Sequence, residues 1–308
     1  MSRSLKAHLL LVFNAAIWGA TFVVIKDALH DITPLYFNAV RMTLAAACLA
    51  AVYWRQMRKL DRAALRYGAI LGLLLWAGYE FQTTGLVHTT PSKSAFLTGV
   101  HVLLVPVFLT IFWRRKVNHW TVLGVVAAFV GLFLLTVPAG ENVLDLSSVN
   151  RGDLLTLGCA VAFAFHIIFL GRATKKLAFE QMAVLQTVFA AVFMFATLPV
   201  LEQPHAAWSP RVLWAIFVTG VFCTAVAFSI QAWAQQFTPP THTALIFALE
   251  PVFAWITSYL VLRERLGHRA TLGAMLILGG ILLSELKGHV VEEQPGALAP
   301  AEVEEEGG

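Results

Sequence analysis

Charge is scarce in this chain. Asp, Glu, Lys and Arg make up only 13% of its 308 residues, against about 25% in an ordinary soluble domain. What charge there is sits in short polar stretches between long apolar ones, which argues against a water-filled surroundings and for a lipid one. Cysteine is also rare. Cys48, Cys159 and Cys223 each lie inside an apolar stretch and lack metal-ligand spacing, so they read as small packing residues. No G-x4-GK[ST] phosphate loop is present, which excludes an ATP-driven pump within this chain. There is no HExxH or paired-Cys metal site, and no cofactor is expected. Asp27-x3-Asp31 has the spacing of a diphosphate–metal motif, but without a second acidic run it reads as a solvated helix end. The basic residues are scattered over short loops and form no single patch, so nucleic acid is not an expected partner.

Hydrophobic residues are abundant, at 58%. A helix needs about 20 apolar residues to cross about 30 Å of hydrocarbon. Ten stretches qualify: 7–26, 33–54, 65–87, 91–113, 119–137, 151–171, 179–199, 209–235, 239–262 and 268–286. The longest loop between them is 138–150, too short for a soluble domain. The first stretch follows Arg3 and Lys6, as a signal peptide would. It is longer than a typical h-region and lacks a small-residue cleavage site, so it is kept in the mature protein. The tail, 288–308, carries Glu292, Glu293, Glu302, Glu304, Glu305 and Glu306 among Pro and Gly, and is expected to be disordered.

Lys and Arg placement sets the orientation. With a cytoplasmic N-terminus, the inside receives Arg3 and Lys6, the cluster Arg55 to Arg66, then Arg114, Arg115 and Lys116, then Arg172, Lys175 and Lys176, and Lys287. The outside receives fewer, though Arg263, Arg265 and Arg269 run against the bias. Both termini are expected in the cytoplasm, in a bacterial-type cytoplasmic (inner) membrane.

The chain also matches itself. Shifted by 149 residues, "TPSKSAFLTGV" lies over "PPTHTALIFAL" and "RRKVNHWTVLGVVAAFVGL" over "RERLGHRATLGAMLILGGI". Identities include Pro91/Pro240, Ala95/Ala244, His119/His268, Gly124/Gly273 and Gly131/Gly280, and Gln82 falls on Gln231. The reading is therefore an all-α polytopic membrane protein of ten transmembrane helices in two five-helix repeats, 7–137 and 151–286. Five is odd, so the second repeat enters the membrane from the opposite side. Two inverted bundles can rock about a site near the midplane, the usual basis of alternating access.

The stretches "NAAIWGATFVVIK", "PLYFNAVRMTLAA", "GYEFQTTGLVHTTPSKSAFLTGVHVLLVPVF" and "TALIFALEPVFAWITSYLVLRERLGHRATLGAMLILGGILL" resemble the EamA-type permeases of the drug/metabolite transporter superfamily. The resemblance covers roughly 7–286, with Glu250-Pro251 and the Arg-Glu-Arg-Leu loop its most telling part. It implies ten helices, cytoplasmic termini and an alternating-access carrier, often an exporter of amino acids or other metabolites. Unlike Glu250-Pro251, the first repeat has His101-Val102, so the halves are not chemically equivalent.

Polar groups deep in a bilayer are costly unless satisfied, so they face the bundle interior. Asn14, Trp18 and Thr21 share a helical face of the first stretch, as a cavity wall or as an interhelical contact. Tyr79 and Gln82 share a face of the third. Thr224, Phe228, Gln231 and Gln235 share one on the eighth. Gln82 and Gln231, as repeat mates, would meet around one cavity or bond neighbouring helices, at about 1 kcal/mol each. His101 and Glu250 are mates in the middles of their stretches. Either is a candidate proton-exchanging group or a satisfied packing residue. His166 joins them. Glu80 and Arg41 read as structural, Arg41 serving as a counter-ion or snorkelling. Lys26 and Arg172 read as interface anchors, and Gly68-x3-Gly72 as a close helix contact.

Two functions follow from these residues. One is a secondary carrier for a small amphipathic solute, as monomer or homodimer, with the solute and membrane lipid as its partners. The other is an intramembrane lipid-modifying enzyme using Glu80, His101 or Glu250 as acid and base. An enzyme needs a convergent catalytic pair near one interface; here polar groups lie at mid-depth and repeat across both halves, which favours the carrier.

Overall fold

The computed structural model describes residues 2–89, 91–136, 150–262 and 267–287. Nearly all of the long 138–150 loop and the acidic tail 288–308 lie outside the described residues. Among the described residues, fourteen α-helices run in chain order: α1 (Arg3–Gly19), α2 (Phe22–Ala28), α3 (Pro34–Val52), α4 (Arg62–His88), α5 (Pro91–Gly99), α6 (His101–Trp113), α7 (His119–Thr136), α8 (Arg151–Ala173), α9 (Phe179–Leu201), α10 (Pro210–Phe217), α11 (Ala227–Ala234), α12 (Pro240–Phe247), α13 (Glu250–Leu262) and α14 (His268–Lys287). A π-helical segment, Val218–Val226, joins α10 to α11. Among the described residues no strand forms beyond an isolated bridge between Ile32 and Ala206.

Local chemistry starts these helices where the backbone needs it. The Ser2, Asp61 and Ser209 side chains each accept from an orphan amide in the first turn of α1, α4 and α10. Asn150 and Asp153 form a reciprocal capping box on α8. Pro34, Pro210 and Pro240 open their helices, where a missing N–H costs nothing.

Among the described residues, six helical stretches are long and apolar enough to cross a membrane: Arg3–Ala28, Pro34–Val52, Ser94–Trp113, Arg151–Ala173, Phe179–Leu201 and Pro210–Ala234. His119–Leu134 and His268–Ser284 are shorter apolar helices. Each of the ten expected stretches is mainly helical where described, but ten crossings do not follow from length and apolarity alone. α4 has the length and falls outside the six because Tyr79, Glu80, Gln82, Thr83 and Thr84 dilute its second half. Large apolar side chains such as Phe13, Ile111, Phe112, Val200, Trp214 and Met275 point outward, while Asn14, Asn38, Arg41, Gln186 and Gln231 are buried. That inside-out distribution suits lipid.

Four of the expected stretches are interrupted. The first breaks at Ala20–Thr21, the fourth at Val100, the ninth at Ala248–Leu249, and the eighth passes through the π-helical segment. Val100 and Leu249 are 149 residues apart, so the two repeats break at the same place. His101 and Glu250 consequently stand at the first residue of α6 and α13 rather than mid-helix. Pro251 opens α13 and does not kink it, because a proline in the first turn displaces no hydrogen bond.

Packing follows an exchange of the two halves. α4 packs on α8 as the π-helical segment and α11 pack on α1; α6 packs on α8 as α13 packs on α1; α3 packs on α9, and α7 on α14. At the last contact a Cβ on Gly124 would meet the Gly280 carbonyl oxygen, and one on Gly131 the Gly273 carbonyl oxygen, each at 2.5 Å. Those are repeat mates with partners swapped, as a twofold axis between two antiparallel helices requires. Gly68 and Gly72 give the close approach of α4 to α9, with Leu185 and Phe189 where their Cβ atoms would be.

The polar ends sort into two groups. At one, Arg3 lies over the Phe237 ring, Lys6 over Trp233 and Lys287 over Trp120. Gln181 Nε2 donates there to the Gln56 and Lys59 carbonyls. At the other, Glu202 accepts from the Leu35 and Tyr36 amides, opening α3, and the Ser209 hydroxyl donates to Asp31. Lys26 is more than an interface anchor: its Nζ donates to the carbonyls of Leu86, Val87 and Thr89, capping the C-terminus of α4. Arg172 stacks 4.1 Å over the Trp113 ring.

Candidate functional site

The helix breaks converge on one cavity with about 660 Å³ of empty space, mouth included. α1 contributes Trp18, and the following break Thr21. α4 contributes Tyr79 and Gln82, and α6 His101. His166 comes from α8, Phe228 and Gln231 from α11, and Glu250 from the start of α13. These are nine of the ten side chains singled out from the sequence. Asn14 stands apart: it is fully buried, and its Nδ2 donates to the Ala227 carbonyl at 2.9 Å, tying α1 to α11.

The break after α1 sits at a close helix contact. At the end of α1, Gly19 lets the chain run against α13, because a Cβ there would collide with the Glu250 carbonyl and lie 2.8 Å from the Ala254 amide. The Thr21 hydroxyl then returns to the Trp18 carbonyl at 2.8 Å. The Trp18 indole N–H donates to the Cys223 carbonyl at 2.7 Å, satisfying an oxygen of the π-helical segment. The ring packs edge-on to Phe247, with centroids 4.8 Å apart, and tilted against Phe228. Tyr79 stands T-shaped to Phe163 and Phe228 at 5.5 and 6.2 Å. The wall is thus an aromatic box with polar groups at fixed points.

Those polar groups are partly unspent. Gln231 Nε2 donates to Gln235 Oε1 at 3.2 Å, and Gln235 in turn to the Ile167 carbonyl, while Gln231 Oε1 has no protein partner. Gln82 Nε2 donates to Thr98 Oγ1 at 3.2 Å. One ring nitrogen of His101 pairs with the Thr98 carbonyl at 2.7 Å, and its Nε2 is unpaired. His166 Nε2 meets Gln186 Oε1 at 2.8 Å, a partner on α9 that sequence reasoning did not select. His101 and His166 thus each bond a carbonyl oxygen, and neither is hydrogen-bonded to Glu80 or Glu250.

The wall also holds residues missed in the sequence: Ile25, Thr98, Phe163, Ile167, Cys223 and Phe247. Arg41, read as structural, lines it too. The repeat carried a usable signal. Tyr79/Phe228 and Thr98/Phe247 are pairs 149 residues apart, like Gln82/Gln231 and His101/Glu250. Cys223 was missed for a geometric reason. A regular α-helix places Thr224, four residues before Phe228, on the cavity face; the π-helical register spans five, so Cys223 takes that place. The Thr224 hydroxyl instead bonds the Thr219 carbonyl, five residues back.

The model of the EamA-like transporter family matches residues 5–137 and again 150–286. The chain belongs to the EamA-like transporter family. An Archaeoglobus fulgidus protein named an uncharacterized transporter is 32% identical over 285 residues, covering 92% of this chain and 87% of its own. The Bacillus subtilis uncharacterized transporter YoaV is 26% identical over 288 residues, covering 91% and 96%. A solved crystal structure superposes with a TM-score of 0.75 at 17% identity, over 93% of this chain and 99% of its own, and so shares the fold. This protein is accordingly an EamA-type permease of the drug/metabolite transporter superfamily, a multi-pass membrane transporter whose partner is a small-molecule solute.

Proposed function

We propose that this EamA-family protein is a secondary carrier that exports an amino acid or similar amphipathic metabolite across the cytoplasmic membrane by alternating access. Its two five-helix repeats, 7–137 and 151–286, cross the membrane ten times in opposite orientations, with both termini in the cytoplasm. The carrying observation is the cavity at the helix breaks, walled by repeat mates from both halves. The swapped glycine contacts of α7 and α14 support the inverted relationship. Aromatic faces with a few unspent amide and imidazole groups suit a solute with an apolar body and polar ends. Glu250, at the break and open to the cavity, is the candidate for proton coupling. The lipid-enzyme reading is less well supported, because no acid–base pair is hydrogen-bonded together among the described cavity residues.

Flux of radiolabelled amino acids in proteoliposomes, with and without a pH gradient, tests the function. Single cysteines at Lys116 and Gly267, in a background lacking Cys48, Cys159 and Cys223, test the architecture. An impermeant maleimide should label them from opposite faces of the membrane. Labelling from one face refutes the inverted repeat and the rocking carrier with it.

A further inference from the structure

Arg41 is the only lysine or arginine on the described wall of the cavity. It is a member of α3, 2% exposed, and the largest fully buried side chain among the described residues. Its guanidinium lies 4.1 Å over the Tyr79 ring and 5.4 Å from the Phe37 ring. The two rings stabilise its charge, but they use none of its N–H donors. Nε and Nη2 have no hydrogen-bond partner, and neither does either oxygen of the neighbouring Glu80. Arg41 therefore neither snorkels to the interface nor closes an ion pair with Glu80. A guanidinium cannot shed its proton to escape burial. A buried cation with free donors is costly, and a guanidinium fork matches a planar carboxylate with two parallel N–H donors.

We infer that Arg41 is the anchor for a carboxylate on the transported solute, the specificity-determining group of the cavity. The solute's apolar body then lies against Trp18, Phe163, Phe228 and Phe247, which share the cavity wall with the anchor. The inference deepens the carrier reading and rests on it for the solute's movement, but binding alone can be measured without it.

The test uses the purified full-length protein in detergent and four matched probes. Phenylalanine and 3-phenylpropionate carry a carboxylate; 3-phenylpropanamide and phenethylamine do not. Binding is read by ligand-induced thermal stabilisation, and flux of the same probes is read in proteoliposomes. The two acids should bind at least about tenfold more tightly than the amide and the amine, the order of one charge-assisted contact. Arg41→Gln should erase the preference and Arg41→Lys should keep part of it. The comparison of acid with amide on the unaltered protein needs no variant, so a misfolded Arg41→Gln leaves the inference testable. Equal binding of acid and amide, preference for the amine, or no binding of either acid overturns it. Stabilisation by phosphatidylglycerol but by neither acid also overturns it, since the anion would then be a lipid headgroup. Acids that bind through Arg41 but never cross the membrane sustain the anchor and refute the carrier.

Discussion

Replacing Gln231 by methionine isolates what one amide contributes to the cavity. The two side chains are close in volume, so the aromatic box should keep its shape. Two consequences can be separated. Within the protein, the substitution removes the 3.2 Å bond from Gln231 Nε2 to Gln235 Oε1, at about 1 kcal/mol. Gln235 still donates to the Ile167 carbonyl, so the tie from α11 to α8 survives. Toward the solute, the loss is larger. Gln231 lines the cavity, and its Oε1 has no protein partner. A solute donor seated on it would be left unpaired in a site closed to water, at about 1–3 kcal/mol. That corresponds to roughly a five- to 150-fold rise in the half-saturating concentration. Counterflow in proteoliposomes measures it, using the amino acid that the unaltered protein moves fastest, with the melting temperature in detergent as the check on folding. Half-saturation within twofold of the unaltered protein, at unchanged melting temperature, would refute Gln231 as a solute contact.

Other positions make sharper single points. Glu250→Gln keeps the shape of the side chain and removes its exchangeable proton, so stimulation of flux by a pH gradient should vanish while solute-for-solute exchange persists; unchanged stimulation in proteoliposomes removes Glu250 from coupling. Gly131→Ala places a Cβ 2.5 Å from the Gly273 carbonyl oxygen and should destabilise the protein by about 1–3 kcal/mol. Gly279→Ala, where nothing lies within 4 Å, should leave thermal melting unchanged, and an equal loss in both would show that the α7–α14 contact is not tight. Trp18→Phe strips the 2.7 Å bond to the Cys223 carbonyl and should cost about 1–3 kcal/mol, read by thermal melting; no loss would mean that the π-helical segment needs no outside donor.

The sequence made the site legible wherever two independent constraints met. A polar side chain inside an apolar stretch is one constraint, and a counterpart 149 residues away is another. Gln82 with Gln231 and His101 with Glu250 satisfied both, and all four line the cavity. The apolar walls were hidden because a phenylalanine among phenylalanines is uninformative: Phe163 and Phe247 differ from lipid-facing Phe13 and Phe112 only in where the helix points them. Asn14 was selected on its polarity and its shared face with Trp18 and Thr21, and that pattern fits equally a residue whose task is to tie α1 to the Ala227 carbonyl. Helix interruptions were the harder loss. Glycine and proline mark the breaks at Gly19, Gly99 and Pro251, but nothing in the residues 218–226 announces a π-helical turn, and a 3.6-residue period then points to Thr224 instead of Cys223. Arg41 was read through charge, because an arginine in a span usually has a counter-ion and Glu80 was near enough in the sequence pattern to suggest one; the two make no direct hydrogen bond. The rings of Tyr79 and Phe37, which hold it instead, belong to no pattern of charge.

The inequality of the repeat mates bears on how such a carrier could work in one direction. Only the glutamine pair is matched in the cavity; Tyr79 has Phe228 as its counterpart, Thr98 has Phe247, and His101 has Glu250. An asymmetric wall cannot by itself rectify transport. A passive carrier obeys the same equilibrium from either side, whatever the affinities of its two faces, so a bias toward export must enter from the solute gradient or a second, coupled species. What unequal mates can do is fix the pose of the solute and supply the coupling group once rather than twice. One arginine and one carboxyl on the described wall, with no hydrogen bond or ion pair between them, give the cavity a polarity that two identical halves would cancel. On that argument the duplicated scaffold supplies the two-state movement, the amides common to both halves can serve either state, and the residues that diverged between the halves decide what is carried.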